Sequence, residues 1–194
     1  NKALTVLLYR ALEARGVPTH FVREAGDIAL VVKKVAIIPI ELVVRNVIAG
    51  SLAKRLGRPE GEPLKQPIVE LYYKDDALGD PMINDEHVRE LGLATPEELE
   101  RLKAFGLRVN DLLTGIFAGA GLTLVDFKLE FGRLAADPAS LVLADEISPD
   151  TCRLWDAKTG EKMDKDRFRR DLGGVMESYA EVLRRLEKEL APNS

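Results

Sequence analysis

Residues 124–132 read LVDFKLEFG, and the strict alternation of this stretch restricts how it can fold. Val125, Phe127, Leu129 and Phe131 are apolar, while Asp126, Lys128 and Glu130 stand between them. A β-strand sends successive side chains to opposite faces, so one face of this segment belongs in a core. The other carries acid, base and acid over about 13 Å, at about 3.3 Å per residue. Alternation alone leaves two readings open. The charged row is either a solvated face with i, i+2 ion pairs or a prepared site for charged ligands.

The neighbouring segments supply the frame. NKALTVLLYRALEARG has Leu4, Leu7, Leu8 and Leu12 at helical spacing and stops at Gly16. THFVRE and DIALVVKK read as strands joined by a turn at Gly26 and Asp27, and AIIPIELVVRN reads as a further strand. GSLAKRLG is a short helix, PIVELYYK a strand and DDALGDPMIN a loop. Thr95, Pro96 and Glu98 place an N-cap, a first-turn proline and a capping-box acid at the start of a long helix. Its buried stripe is Leu99, Leu102, Phe105, Val109, Leu112, Leu113 and Ile116. LVLADEIS pairs with the opening strand through the Asp137-Pro138 turn, which puts Glu130 and Asp145 at adjoining strand ends. The polar stretch PDTCRLWDAKTGEKMDKD reads as a loop, and two helical segments follow, ending near Leu190. This order predicts an α+β chain of two lobes, residues 1–34 and 35–194.

Several function classes are excluded or disfavoured. The 28 Lys and Arg do not outnumber the 32 Asp and Glu, so no basic excess points to nucleic acid. VAIIPIELVV is too short to span a bilayer and contains Pro39 and Glu41, so no membrane association is expected. Cys152 is the single cysteine, which suits a reducing compartment. His20 and His87 lie far apart, giving no support to a His-based zinc site or a Ser-His-Asp triad. Neither a P-loop nor a G-x-G-x-x-G stretch is present.

Three constellations remain as candidates. Glu130 with Asp145 offers the hard oxygen ligands that Mg²⁺ takes together with substrate phosphates. Arg45 and Gly50-Ser51, at a strand-to-helix junction, fit either a phosphate contact or a plain N-cap. Arg153 and Trp155 stand in the polar loop, as ligand contacts or as mobile surface.

Taken in order, PIELVVRNVIAGSLAKRLG, KDDALGDPMIN, LVDFKLEFG, LADEISPDTCRLWD and EKMDKDRFRRDLGG resemble the SAICAR synthetase (phosphoribosylaminoimidazole-succinocarboxamide synthase) family over nearly the whole chain. The resemblance implies a two-lobed fold related to ATP-grasp and kinase-like architectures. It implies an ATP-dependent ligase joining L-aspartate to the carboxylate of carboxyaminoimidazole ribonucleotide (CAIR), through an acyl phosphate, in the cytoplasm. It also implies ATP as co-substrate, Mg²⁺, and a homodimer.

Roles carried by the resemblance follow residue by residue. Glu130 and Asp145 would ligate Mg²⁺ and meet ATP, and Lys128 would stabilise charge at the transferring phosphoryl group. Asp126 would contact the imidazole nucleotide, Glu41 would accept from its amino group, and Arg45, Ser51 and Arg153 would hold its phosphate. The backbone of Val32, Lys33, Lys34, Val35, Ala36 and Ile37 would meet adenine. Lys74 and Asp80 match further site positions, and the aspartate pocket falls near SPDTCR. The family's G-K-x-K phosphate-covering loop has no counterpart here, and the chain opens without Met on an existing helix. The expectation is therefore a longer protein whose upstream residues complete the small lobe. A small-molecule kinase and a non-catalytic nucleotide-binding module stay as alternative readings.

Overall fold

The computed structural model describes residues 1–191. Helix α1 (Lys2–Glu13) leads into the hairpin β1 (Phe21–Ala25) and β2 (Ala29–Val32), which forms a two-stranded sheet of its own. Then come β3 (Val35–Ile37), β4 (Ile40–Val47), α2 (Gly50–Leu56), β5 (Pro63–Tyr73), β6 (Met82–Ile83) and α3 (Asp85–Glu90). The long helix α4 (Pro96–Gly119) precedes β7 (Leu122–Leu134), β8 (Asp137–Ala144), β9 (Cys152–Asp156), α5 (Asp166–Arg169) and α6 (Val175–Glu189). The main sheet runs β3-β7-β4-β5-β6, with β8 and β9 also pairing on β7, and all of its ladders are antiparallel.

Strand β7 organises the molecule. It is flanked by β9 and β4 along its first part and by β8 and β3 along its last. The apolar set of the alternating segment is fully inside, with Val125, Phe127, Leu129 and Phe131 all at 1% exposure or less. Phe127, Leu129 and Phe131 join one continuous core with Leu42, Val44, Leu71 and the buried stripe of α4. Leu99, Leu102, Val109, Leu113 and Ile116 of that stripe are buried, and Phe105 and Leu112 pack against it from the margin. The Thr95 hydroxyl accepts from the Glu98 N–H while Glu98 accepts from the Thr95 N–H, closing the expected capping box. Helix α1 contributes Leu4, Leu8, Tyr9 and Leu12 to the same core.

The expected single strand AIIPIELVVRN is divided into β3 and β4. Pro39 has no N–H to give to a ladder, and the strand breaks there. PIVELYYK is the second half of an eleven-residue strand that starts at Pro63. The loop expected at DDALGDPMIN holds a short 3₁₀ turn at Asp76–Leu78 and strand β6. Helix α3 was not anticipated, because its capping box pairs Asn84 with His87 rather than with Glu or Gln.

The polar loop after Pro149 is also corrected. Its CRLWD portion is β9, paired with β7 from Leu122↔Asp156 to Phe127↔Cys152, so Arg153 sits on a sheet and not on a mobile surface. Glu130 is not at a strand end either, since β7 continues to Leu134 and Glu130 pairs with Ala144. Close approach shapes this part of the sheet. A Cβ on Gly132 would lie 2.6 Å from the Val35 Cβ, so glycine there lets β3 close against β7.

Candidate active site

The register of β5, β4, β7 and β9 puts the second half of each alternation on one face. Arg45 lies opposite Asp126, Val43 opposite Lys128 and Glu70, and Asp126 opposite Arg153. Glu41 and Tyr72 form the next pair along. The face away from the core therefore gathers Glu41, Arg45, Glu70, Tyr72, Asp126, Lys128, Glu130 and Arg153. Asp126 and Glu130 are 6% and 4% exposed, which rules out the reading of a solvated row.

Two connected clusters occupy it. In the first, the Lys128 ammonium donates to Glu41 at 2.9 Å and Glu130 at 2.8 Å, and lies 3.3 Å from Asp145. The Lys74 ammonium donates to Glu130 at 2.6 Å and is 3.9 Å from Glu41. Burial pulls the Lys128 ammonium down, but its bonds to Glu130 and Glu41 win and hold it well above the usual lysine range. The Glu130 carboxyl is held below its ordinary value, because Lys128 and Lys74 outweigh the cost of burial. Lys128 is accordingly a cation throughout the neutral range.

In the second cluster, Arg45 donates from Nε to Glu70 at 2.6 Å and from Nη1 to Asp126 at 2.7 Å. Its Nη2 reaches the Ser51 hydroxyl at 3.0 Å and the Tyr72 hydroxyl at 3.3 Å. Arg153 donates to Asp126 from Nη1 and to Asp166 from Nε at 2.8 Å. Burial moves the Asp126 carboxyl upward against the pull of Arg153 and Arg45. With two guanidiniums bonded to it, the carboxylate is the form these contacts favour. Gly50, at φ +53°, starts α2 beside Arg153, and a Cβ there would lie 2.8 Å from the guanidinium. Between the clusters is a cleft of about 210 Å³, lined by Glu41, Arg45, Ser51, Asp126, Lys128 and Arg153 together with Thr151 and residues 164–166.

Other expected residues stand at the margins. Of the segment 32–37, Val35–Ile37 run along β7, with Ile37 opposite Gly132 and the Ile38 N–H donating to the Phe131 carbonyl, next to Glu130. Val32 pairs with Phe21 in the hairpin, and the Lys33 N–H donates to the His20 carbonyl. The Lys33 ammonium is turned to the Thr19 carbonyl at 2.9 Å. Asp80 accepts from the Asp75 N–H at 2.9 Å, closing its own loop, and makes no ion pair with either cluster among the described residues. Asp145 has φ +59°, and the Tyr9 hydroxyl reaches the carbonyls of Ala144 and Asp145 at 2.8 Å each. The core helix α1 thus fixes the turn that carries Asp145.

Sequence reading missed Glu70, Tyr72, Tyr9, Asp164 and Asp166 as parts of the site. The buried Asp164 carboxylate accepts from the Leu154 and Asp166 N–H groups, and burial pushes it up to about 6. It orders the turn that brings Asp166 to Arg153. The signal for the last two lay in EKMDKDRFRRDLGG, where four acids and five bases share fourteen residues. Only the pairing of β9 shows which of them face inward. Cys152 is buried, and its thiol is pushed up to about 12 by desolvation.

A sheet packed under a helix on one face, with lysine–carboxylate and arginine–carboxylate clusters on the other, defines an α+β enzyme of small anionic substrates. The chain matches the family model described as SAICAR synthetase over residues 1–186. It is 62% identical over 189 residues to the phosphoribosylaminoimidazole-succinocarboxamide synthase of Akkermansia muciniphila, covering 97% of this chain and 80% of the relative. Among solved structures, the synthase of Ehrlichia chaffeensis aligns with a TM-score of 0.94 at 46% identity, covering 100% of this chain and 81% of that one. A SAICAR synthetase in complex with ADP aligns at 0.92 and 49%, covering 98% and 80%. The chain belongs to the SAICAR synthetase family, ATP-dependent ligases that join L-aspartate to CAIR in purine biosynthesis.

Proposed function

We propose that the two clusters divide the family's reaction between them, the arginine cluster holding the ribonucleotide and the lysine cluster meeting the phosphoryl group. The observation that carries this reading is the Lys128 ammonium, which touches Glu41, Glu130 and Asp145 within 3.3 Å. The arginine cluster begins on the adjacent residues of the same strands.

Glu130 and Asp145 are the proposed Mg²⁺ ligands. Both carboxylates face one common point, which the Lys128 ammonium marks, so the residues fit a hard cation. No three His, Cys, Asp or Glu side chains form a self-contained cage among the described residues. That matches Mg²⁺, which takes one or two carboxylates and fills its octahedron with water and phosphate oxygens. When bound, the ion would neutralise developing charge on the transferring phosphoryl group.

The chain's own groups supply the rest. Arg45, Ser51 and Arg153 hold the substrate phosphate, and Asp126, fixed between the two arginines, contacts the nucleotide. Glu41 accepts from the imidazole amino group and so orients the carboxylate toward Lys128. An oxygen of that carboxylate attacks the γ-phosphorus, ADP leaves, and Lys128 stabilises the charge spread over the phosphoryl oxygens. The aspartate ammonium gives a proton to water, its amine attacks the acyl carbon, and phosphate departs with the former carboxylate oxygen and takes up the second N–H proton as the amide forms. Lys128 cannot serve as the base, because its pairing with Glu130 and Glu41 keeps it protonated. The backbone of Val32–Ile37 meets adenine, Lys74 steadies Glu130 near ATP, and Asp80 approaches the substrate from the 75–80 loop.

The division at residues 34 and 35 is part of the proposal. Its support is the separate β1–β2 sheet, although α1 shares the core of the larger part. A cytoplasmic homodimer completes the reading. No helix among the described residues is long and apolar enough to cross a membrane. Sedimentation of the full-length protein tests the dimer.

Phosphate release provides the test of function. It should require ATP, CAIR and aspartate together and be lost in Asp145→Asn. Release without aspartate would overturn the ligase assignment in favour of a kinase.

A further inference from the structure

We propose that Glu70 is a positioning residue that aims Arg45, and through it Ser51, at the phosphate of the ribonucleotide substrate. The proposal rests on the reading of Arg45 and Ser51 as phosphate contacts. Glu70 sits on β5, one strand away from Arg45 on β4, and on the same face of the sheet. It is 8% exposed and Arg45 5%, so neither charge is shared with bulk water.

A guanidinium offers five N–H donors in a rigid fork, and the fork's direction is set by whichever of them are already bound. In Arg45 the Nε–H is taken by Glu70 at 2.6 Å, one Nη1–H by Asp126 at 2.7 Å, and Nη2 by Ser51 and Tyr72. Without Glu70 the fork would keep one charged anchor, Asp126 on Nη1, and only the longer hydroxyl contacts of Nη2 at 3.0 and 3.3 Å against rotation about it. The short Glu70 bond to Nε, on the opposite side of the guanidinium, is the second charged anchor and fixes the fork's direction. Ser51 then accepts from Arg45, which leaves its own hydroxyl hydrogen free to donate to an incoming oxygen. Glu70 is itself held on both oxygens: Oε2 also accepts from the Tyr72 hydroxyl at 2.8 Å, and Oε1 accepts from Arg55. Bonds to Arg45 and Tyr72 keep it ionised in spite of burial.

An acid next to an anion site is unfavourable by charge alone. If Glu70 acted only through its charge, removing it would tighten phosphate binding. If it acts by aiming Arg45, removing it weakens binding even though the site becomes more positive. The two effects have opposite signs, and steady-state kinetics on the full-length enzyme separates them.

Glu70→Gln should raise the KM for CAIR about tenfold, equivalent to about 1.4 kcal/mol. KM for ATP and aspartate should stay within twofold, and kcat within threefold. In an Arg45→Ala background the same change should have no further effect on the CAIR KM. An unchanged or lowered CAIR KM overturns the proposal, as does an equal rise in all three KM values, which would mark a structural role. Should Glu70→Gln fail to fold, Tyr72→Phe, which removes the hydroxyl bridging Glu70 and Arg45, is read by the same criteria with a threefold rise expected. If Arg45→Ala alone leaves the CAIR KM unchanged, the phosphate reading itself fails and the Glu70 proposal with it. A rise in Arg45→Ala without one in Glu70→Gln overturns only the latter.

Discussion

Replacing Lys128 with Met separates the two jobs assigned to this ammonium. In the wild-type chain Glu41 and Glu130 face both the Lys128 and Lys74 ammoniums and Asp145 faces Lys128; in the variant Glu41 and Glu130 keep Lys74 while Asp145 loses its contact with Lys128. Breaking a fully buried pair costs about 3–5 kcal/mol and an exposed one about 0–1. Lys128 is 26% exposed at its side chain, so a loss of about 2 kcal/mol is expected, or about 4–8 °C in Tm for a chain of this size. The same change empties the point on which Glu130 and Asp145 converge. Mg²⁺ without nucleotide should then raise the Tm of the variant more than that of the wild type.

Turnover should fall about 10²–10³-fold, the usual effect of deleting one preorganised charge donor. The pH dependence has a definite sign. Glu130 is held below 4.5 in the fold, so its pairing stabilises the protein above that pH and the contribution is lost on further acidification. Lys128 is held above 10.5, so its contribution is complete below that value and lost only at more alkaline pH. The stability gap between wild type and variant should be flat from pH 6 to 9 and close below about pH 4.5. Thermal unfolding with and without MgCl₂, together with phosphate release, checks these points. Turnover within tenfold of wild type, or equal Mg²⁺ responses of the two proteins, would refute the reasoning.

Three other changes probe the support of the site. Gly132→Ala would set a Cβ 2.6 Å from the Val35 Cβ, and overpacking of this kind costs about 1–3 kcal/mol. A raised KM for ATP beside the loss in Tm is expected from displacement of β3, and wild-type values for both would contradict the packing argument. Tyr9→Phe leaves the Ala144 and Asp145 carbonyls without the hydroxyl, at a cost of about 1–3 kcal/mol, and should reduce kcat with little change in the CAIR KM. Glu98 is held down to about 2 by Arg133 and by its capping bond to the Thr95 N–H. Its contribution is therefore present above 4.5 and lost as pH falls through about 2. Glu98→Gln should cost about 1–2 kcal/mol at pH 7 after screening, with the difference vanishing toward pH 2 in denaturant titrations.

Local pattern was enough where a residue's role depends on its own strand or helix. The alternation of Phe127–Phe131 located the core face, whereas Val125, at the register shift between Leu124 and Asp126, packs with Val47 and Ala49 in a separate cluster. Thr95-Pro96 with Glu98 located the start of α4. Wherever long-range register decides, local pattern was silent. Glu70 and Tyr72 sit in PIVELYYK, which alternates no more tellingly than any half-buried strand, and only the pairing Val43↔Glu70 brings them beside Arg45. CRLWD is five residues long inside a charged stretch, so its strand forms because β7 presents an open edge. Tyr9 carries no local signal of its partner, because its hydroxyl finds Asp145 136 residues away. Family resemblance named most of the residues on this face. Geometry adds the carboxylates and hydroxyls that hold them in place.

The central claim is that this polar sheet face activates the substrate carboxylate as an acyl phosphate. CAIR labelled with ¹⁸O in both carboxylate oxygens, turned over with ATP and aspartate, tests it by mass analysis of the released phosphate. The account predicts one ¹⁸O in each phosphate and one kept in the amide product. Phosphate without label, its new oxygen drawn from water, would contradict it.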